Sequence, residues 1–245
     1  FINTHYTFSG GIYAIPETQK LKYTTTDGRV SGTTDCILNV YENGMGTMYF
    51  EHELAEIGES TFSGCQSLLS VTIPSSVRKI GKNAFYQCVN LRSVLILGTI
   101  NEIHDYAFSG CVELHELFYL GDDHPLMGEN PFFNCFVTIY VKDTTGHSPW
   151  DGRPVRSWRS GKGDGSRENP LEIENYVNLY GFAIEVSMLG SNDLCGKLTA
   201  DIVGNSNVLD ANGNPNPGTY REWLPIGSSD EVFCGEFNGY GHTIS

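Results

Sequence analysis

The sequence predicts a mostly β solenoid, and three observations carry that prediction. Identical residue types recur at an interval of 23: Ile57, Ile80 and Ile103; Phe62, Phe85 and Phe108; Cys65, Cys88 and Cys111; Leu68, Leu91 and Leu114. Each interval also holds a short alternating run, such as Val71 and Ile73 against Ser70 and Thr72, as a half-buried strand requires. Charge alternates up the repeat as well, through Glu56, Lys79, Glu102 and through Glu59, Lys82, Asp105. Stacked strands lie about 4.8 Å apart, so equivalent residues become neighbours, and like charges in one column would oppose stacking. A coil too short to bury its own apolar face closes a core only on copies of itself.

Composition narrows the function classes. The 245 residues suffice for one long solenoid or two ordinary domains, and no apolar run reaches the length of a bilayer span. A formal charge of −14 repels phosphate backbones and anionic headgroups, which makes nucleic acid and membrane surfaces poor partners. Many Gly, Tyr and Phe with few Lys fit a turn-rich β protein from outside the cell. No basic and apolar leader opens the chain at Phe1, so any export signal is expected to be removed or upstream.

Residues 1–53 read as an N-terminal segment and cap. Residues 21–26 alternate weakly into the turn signal Asp27-Gly28, and residues 36–41 form a second β-prone run. Without a cap the first coil would expose an apolar layer and an unpaired strand edge. Residues 54–156 hold the coils, with strands at 68–74, 91–97 and 114–120 and a shorter strand before each Ile of the 57/80/103 column. Gly58 and Gly81 follow that Ile where the coil turns; His104 replaces them in the third coil. The run Ile57-Gly58-Glu59-Ser60-Thr61-Phe62-Ser63-Gly64-Cys65-Gln66-Ser67-Leu68, with Val71-Thr72-Ile73-Pro74 after it, resembles the BspA-like leucine-rich repeat of bacterial and protist surface proteins. The resemblance covers about residues 54–141. In a degraded fourth coil, Phe132 and Cys135 persist one residue out of step and the Leu is absent, while residues 138–141 and Trp150 resemble the closing strand and cap. It implies leucine-rich coils in a secreted or cell-surface protein that binds proteins, cells or matrix, with no catalytic residues to carry over.

Residues 157–166 are Gly/Ser-rich and read as a linker before a second domain at 167–245. Residues 175–189 place Tyr176, Val177, Leu179, Tyr180, Ala183, Ile184 and Val186 at helical spacing, so a helix is expected to cover an open β edge. Strands are expected at 197–202 and at 233–244, with the run 223–227 between them, and Gly235, Gly239 and Gly241 suit corners with positive φ. The capping helix, the strand Lys197-Leu198-Thr199-Ala200-Asp201-Ile202 and the run Phe233-Cys234-Gly235-Glu236-Phe237-Asn238-Gly239-Tyr240-Gly241-His242-Thr243-Ile244 resemble the opening of GLUG-type right-handed β-helix proteins, over about 163–245. That resemblance implies a β-helix begun and not continued, hence a piece of a longer protein.

Candidate chemistry is sparse. Cys65, Cys88, Cys111 and Cys135 occupy one coil position each, spaced unlike zinc ligands, and read as small buried apolar residues. Cys195 and Cys234 flank two strands of the second domain and are a possible disulfide in an exported protein. Residues 210–214 look like a calcium loop but have Pro215 where a glycine is needed, so a polar excursion is expected. Asp122, Asp123, His124 and Glu129 suit a cation site, an acid/base pair or a solvated loop, the last being the default, and His242 reads as a corner residue. No nucleophile elbow, phosphate loop or His-Glu-x-x-His helix is present. No catalytic residue, metal or cofactor is expected.

The outward residues of the strands remain: Ser70, Thr72, Ser93, Leu95, Glu116 and Phe118, a candidate partner-binding face. Leu95 and Phe118 are contact points if exposed, in which case Phe118→Ala with Leu95→Ser spares the fold and weakens ligand capture; flanking segments covering them is the alternative. The favoured reading is a non-catalytic adhesion module of an exported bacterial surface protein, taking a protein, matrix or glycan ligand. A polysaccharide-active β-helix enzyme and a structural spacer are the alternatives.

Overall fold

A computed structural model describes residues 20–25, 36–42, 45–204, 224–227 and 232–245. The fold is a β-solenoid of parallel stacked strands with one helix. It divides into two compact units, Phe1–Arg156 and Ser157–Ser245. The Asp27-Gly28 turn and the 210–215 loop lie outside the described residues.

The first unit begins with three antiparallel strands, β1 (Lys20–Thr25), β2 (Cys36–Glu42) and β3 (Met45–Phe50), ordered β1-β3-β2. Their inward residues Leu21, Tyr23, Met48 and Phe50 join the solenoid core. Gly46 faces Tyr23 across the ladder, and a Cβ there would lie 2.1 Å from the ring, so only glycine admits the tyrosine. β1 pairs antiparallel with the first long strand, β5 (Leu68–Ile73), so the parallel stack does not end in a bare edge.

From there the coils repeat. Short strands β4 (Glu56–Ile57), β6 (Lys79–Ile80), β8 (Glu102–Ile103) and β10 (Leu126–Met127) form one parallel sheet. On the other side β5, β7 (Ser93–Ile96), β9 (Glu116–Tyr119) and β11 (Thr138–Val141) stack in parallel, followed by β12 (Val155–Ser157). The ladder pairs Val71 with Val94 and Val94 with Leu117, and Ile57 with Ile80 and Ile80 with Ile103, which is the 23-residue register of the sequence. Phe62, Phe85, Phe108 and Phe132 stack face to face at 5.1, 5.0 and 5.3 Å between centroids. The turn backbone is satisfied by the next coil: Phe62 N–H donates to Ala84 O and Phe85 N–H to Ala107 O, both at 2.7 Å. One pair in each alternating charge column closes, Glu56 with Lys79 at 3.1 Å and Lys82 with Asp105 at 4.0 Å.

The fourth coil keeps its core by shifting length. Phe132 and Cys135 sit 24 residues beyond their predecessors, and Val137, buried and 23 beyond Leu114, occupies the leucine position. Thr138 then pairs with Glu116, only 22 residues away. One inserted residue before β10 is thus cancelled, and another removed, before β11. Trp150 closes the unit, fully buried and bridged antiparallel to Arg153.

Two columns of left-handed backbone run up the turns: Ser60, Asn83, Tyr106 and Asn130, with φ between 48° and 55°, and Gly64, Gln87, Gly110 and Asn134, with φ between 54° and 77°. Such a φ costs a non-glycine residue about 1–2 kcal/mol, so Tyr106 and Gln87 are held there by the coils around them.

In the second unit β13 (Leu171–Ile173), β14 (Gly196–Leu198) and β15 (Phe237–Asn238) form a parallel sheet, and Ile202 bridges Ile244 in the same sense. The helix α1 (Tyr176–Met188) is capped by Asn175, whose side chain accepts the Asn178 N–H at 3.0 Å. It is buried nearly all round rather than on one face, and Phe182 lies against Gly196 and Phe237. Of the three predicted corner glycines only Gly241 has positive φ; Gly235 is required because a Cβ would lie 2.0 Å from Leu194 O, and Tyr240 takes a left-handed turn position. The 157–166 stretch is no free linker. Trp158 is buried against Gly181 of α1, and its indole N–H donates to Glu185 at 3.0 Å.

Candidate functional site

Of the two alternatives for the apolar residues of the strand face, burial is the one found. Thr72, Ser93 and Glu116 are half-buried and Ser70 is buried. Leu95 is 5% exposed and Phe118 only 2% exposed, so neither is an open contact point. Along the ladder Leu95 lies between Thr72 and Phe118, and Phe118 stacks on Tyr140 at 5.2 Å, so apolar neighbours cover one another. Phe118→Ala would therefore disturb packing rather than spare the fold.

Open apolar surface sits on the fourth coil instead. Leu126 is 73%, Phe133 61% and Phe136 72% exposed. Phe133 and Phe136 each follow an inward residue, Phe132 and Cys135, so the coil that buries one side chain turns its neighbour outward. Their signal in the sequence is the doubling Phe132-Phe133 and the pair Cys135-Phe136. Equivalent positions in the third coil hold Ser109 and Val112.

The cysteine column is a packing feature. The Cys88 thiol donates to Phe62 O and the Cys111 thiol to Phe85 O, each at 3.0 Å. The neighbouring Cys88 and then burial raise the Cys111 pKa far above its ordinary value, and burial raises that of Cys135 to about 11. Protonated buried thiols are poor nucleophiles and poor ligands. Cys195 and Cys234 are both free thiols. The register sets Gly196 opposite Phe237, which places Cys195 beside Glu236 and not beside Cys234. With a thiol-reactive probe at about neutral pH, exposed Cys234 is expected to label within minutes and Cys88 and Cys111 only after unfolding. Fast labelling of the latter pair, read by peptide mass spectrometry, would show the column open.

The remaining candidates separate in space or serve the fold. Glu129 turns to the coil corner, where Oε1 accepts from Tyr106 Oη at 3.0 Å and its N–H donates to Asp105. Asp122 and Asp123 are exposed, and the Asp123 carbonyl accepts from Tyr119 Oη at 2.8 Å. His242 lies 3.5 Å from Asp201, whose carboxylate also accepts the Thr243 N–H and is held below its ordinary pKa by that bond. Among the described residues no group of three or more His, Cys, Asp or Glu could hold a metal ion, and no helix is long and apolar enough to cross a membrane.

A stack of short parallel coils with a strand sheet, a turn column and an aromatic closing residue defines a leucine-rich solenoid. Residues 41–144 match the BspA type leucine rich repeat region in six copies, so this stretch carries repeats of that type. The match begins earlier than the resemblance read from the coils. It does not reach residues 163–245, and the GLUG reading of that segment gains no support. No curated protein matches the chain. Among solved structures, a leucine rich cell surface protein from Faecalibacterium prausnitzii is similar at 13% identity, over 84% of this chain and 67% of that one, with a TM-score of 0.24, too loose to carry an argument.

Proposed function

We propose that residues 54–156 form a non-catalytic binding module of an exported bacterial cell-surface protein, engaging a protein, matrix or glycan ligand outside the cell. BspA-type repeats over residues 41–144 support it, since such repeats are common in surface binding proteins and typically non-catalytic. The observation that carries the reading is the group of exposed apolar side chains on one coil, Leu126, Phe133 and Phe136. Aromatic groups left in water by a folded protein cost solubility and serve as anchors when a partner covers them. The half-buried Thr72, Ser93 and Glu116 of the strand face remain the polar candidate surface. The net charge of −14 favours a neutral or basic ligand surface.

The test is an array of matrix proteins, host surface proteins and glycans probed with the chain and with Phe133→Ser/Phe136→Ser. The chain is expected to capture at least one ligand class. The variant is expected to weaken that capture by about tenfold or more while its circular dichroism and melting are unchanged. Capture untouched by the double substitution would remove the fourth coil as the site, and no capture at all would favour a spacer.

A further inference from the structure

Trp150 closes the core of the first unit through a layer of rings. Its indole meets Tyr119 edge to face at 4.9 Å and His124 at 5.8 Å, and Tyr119 in turn meets His147 at 6.0 Å with the planes at 90°. Tyr119 is anchored: its hydroxyl accepts the Ile100 N–H at 3.1 Å and donates to Asp123 O, and burial raises its pKa to about 12, so it stays un-ionised. The two imidazoles are held less completely. His124 Nδ1 lies 2.8 Å from Pro125 O, and since a carbonyl only accepts, Nδ1 carries the proton and Nε2 is the bare nitrogen. That Nε2 is buried with no hydrogen-bond partner, and so is His147 Nδ1. Among the described residues neither buried nitrogen has an acceptor for an N–H.

We propose that this layer is an acid-operated latch: the neutral imidazole of His147, edge to face on Tyr119, helps seat the Trp150 plug, and protonating it unseats the layer, opening the C-terminal end of the leucine-rich core. A doubly protonated His147 must carry a donor at its buried Nδ1 with nothing among the described residues to receive it, a cost the folded closure bears and the opened one does not. The charged and titratable groups around His147 come from two segments. Asp122 and Asp123 precede β10 and favour the charged ring, as does Asp143 after β11; His124 opposes it. All three carboxylates are exposed and screened by solvent. Burial is the largest influence, and it holds the His147 pKa below its ordinary value.

The sign follows. An opened segment binds its proton near the free histidine value of about 6.5, before the closed one does, so acid favours opening. The latch is intact above that pH, and its stability is lost as pH falls from there toward the lower folded value. Opening would bare Trp150 and free β11 and β12 beside the exposed Phe133 and Phe136, without bearing on whether those residues bind anything.

Hydrogen exchange of the whole chain, corrected for intrinsic pH dependence, tests this at about pH 7.5 and 5.0. Protection over residues 138–153 is expected to fall at least tenfold in acid, while residues 68–96 keep theirs. In His147→Phe, which keeps a ring and removes the titration, the fall is expected to stay within about twofold. An equal fall in both proteins, or none in the wild type, would overturn the latch. Should the variant fail to fold, the imidazole proton resonances of the wild type decide: His147 titrating at or above about 6.5 would equally overturn it.

Discussion

Glu185→Ala is expected to unfold the second unit while leaving the leucine-rich unit intact. Glu185 is the one fully buried carboxylate among the described residues, in the middle of a helix whose other buried groups are mostly apolar. It accepts from Trp158 Nε1 at 3.0 Å, from Arg159 Nε at 2.7 Å and also from Arg159 Nη2. Asn178, one face along the helix, holds the same segment by donating to Trp158 O at 2.7 Å. The helix is thereby tied to residues 157–159, and Gly181 leaves the space the indole fills: a Cβ there would lie 2.3 Å from it. Removing one partner of a buried pair costs about 3–5 kcal/mol, because the other charge is left uncompensated. A domain of this size holds about 5–15 kcal/mol in all. Denaturant unfolding should show the transition of the second unit lost or shifted to low concentration, with exchange protection over residues 176–188 gone. Glu185→Leu combined with Arg159→Met should recover more than half of the loss, since neither charge then remains. A single variant within about 1 kcal/mol of wild type would mean the pair does not secure the helix.

What was legible in the sequence, and what was not, follows from which side chains the coil geometry fixes by itself. Ile57, Phe62, Cys65 and Leu68 point inward because each coil must bury one face, so identity at an interval of 23 is enough to read their columns. Val137 escaped that reading because an insertion before β10 and the deletions after Cys135 hide its alignment with Leu114. The left-handed columns left a weak trace, since Asn83, Asn130, Gly64 and Gly110 suit positive φ, but Tyr106 and Gln87 do not announce it. Burial of Leu95 and Phe118 was one of two alternatives the sequence left open, because it depends on side chains from neighbouring coils, such as Tyr140 on Phe118, rather than on the coil alone. The same holds for the Gly/Ser-rich stretch: its composition spoke for a free connection, while one tryptophan and one arginine, finding Glu185 about a quarter of a hundred residues later, decided its place. The exposed Phe133 and Phe136 were written beside the core residues Phe132 and Cys135, and only the orientation of the backbone separates them.

The second large effect is expected at the centre of the ring stack, where Phe85→Ala should destabilise the first unit by about 3–5 kcal/mol. Phe85 is fully buried between Phe62 and Phe108, at 5.1 and 5.0 Å with interplanar angles of 13° and 2°. Two terms add: the hydrocarbon returned to water, and a cavity that the coils above and below cannot close, because their turn backbones are already tied at 2.7 Å through Phe62 N–H and Phe85 N–H. Phe62 is also buried but stacks on one ring among the described residues, so Phe62→Ala should cost less. The difference measures how far stability in the stack is a nearest-neighbour sum, as a solenoid requires. Urea denaturation of Phe85→Ala, Phe108→Ala and the double variant should give a coupling of about 0.5–1.5 kcal/mol, the range for paired aromatic rings. Zero coupling, or a Phe62 cost equal to that of Phe85, would mean each coil is stabilised on its own. The 23-residue register would then record common descent of the coils without a shared core.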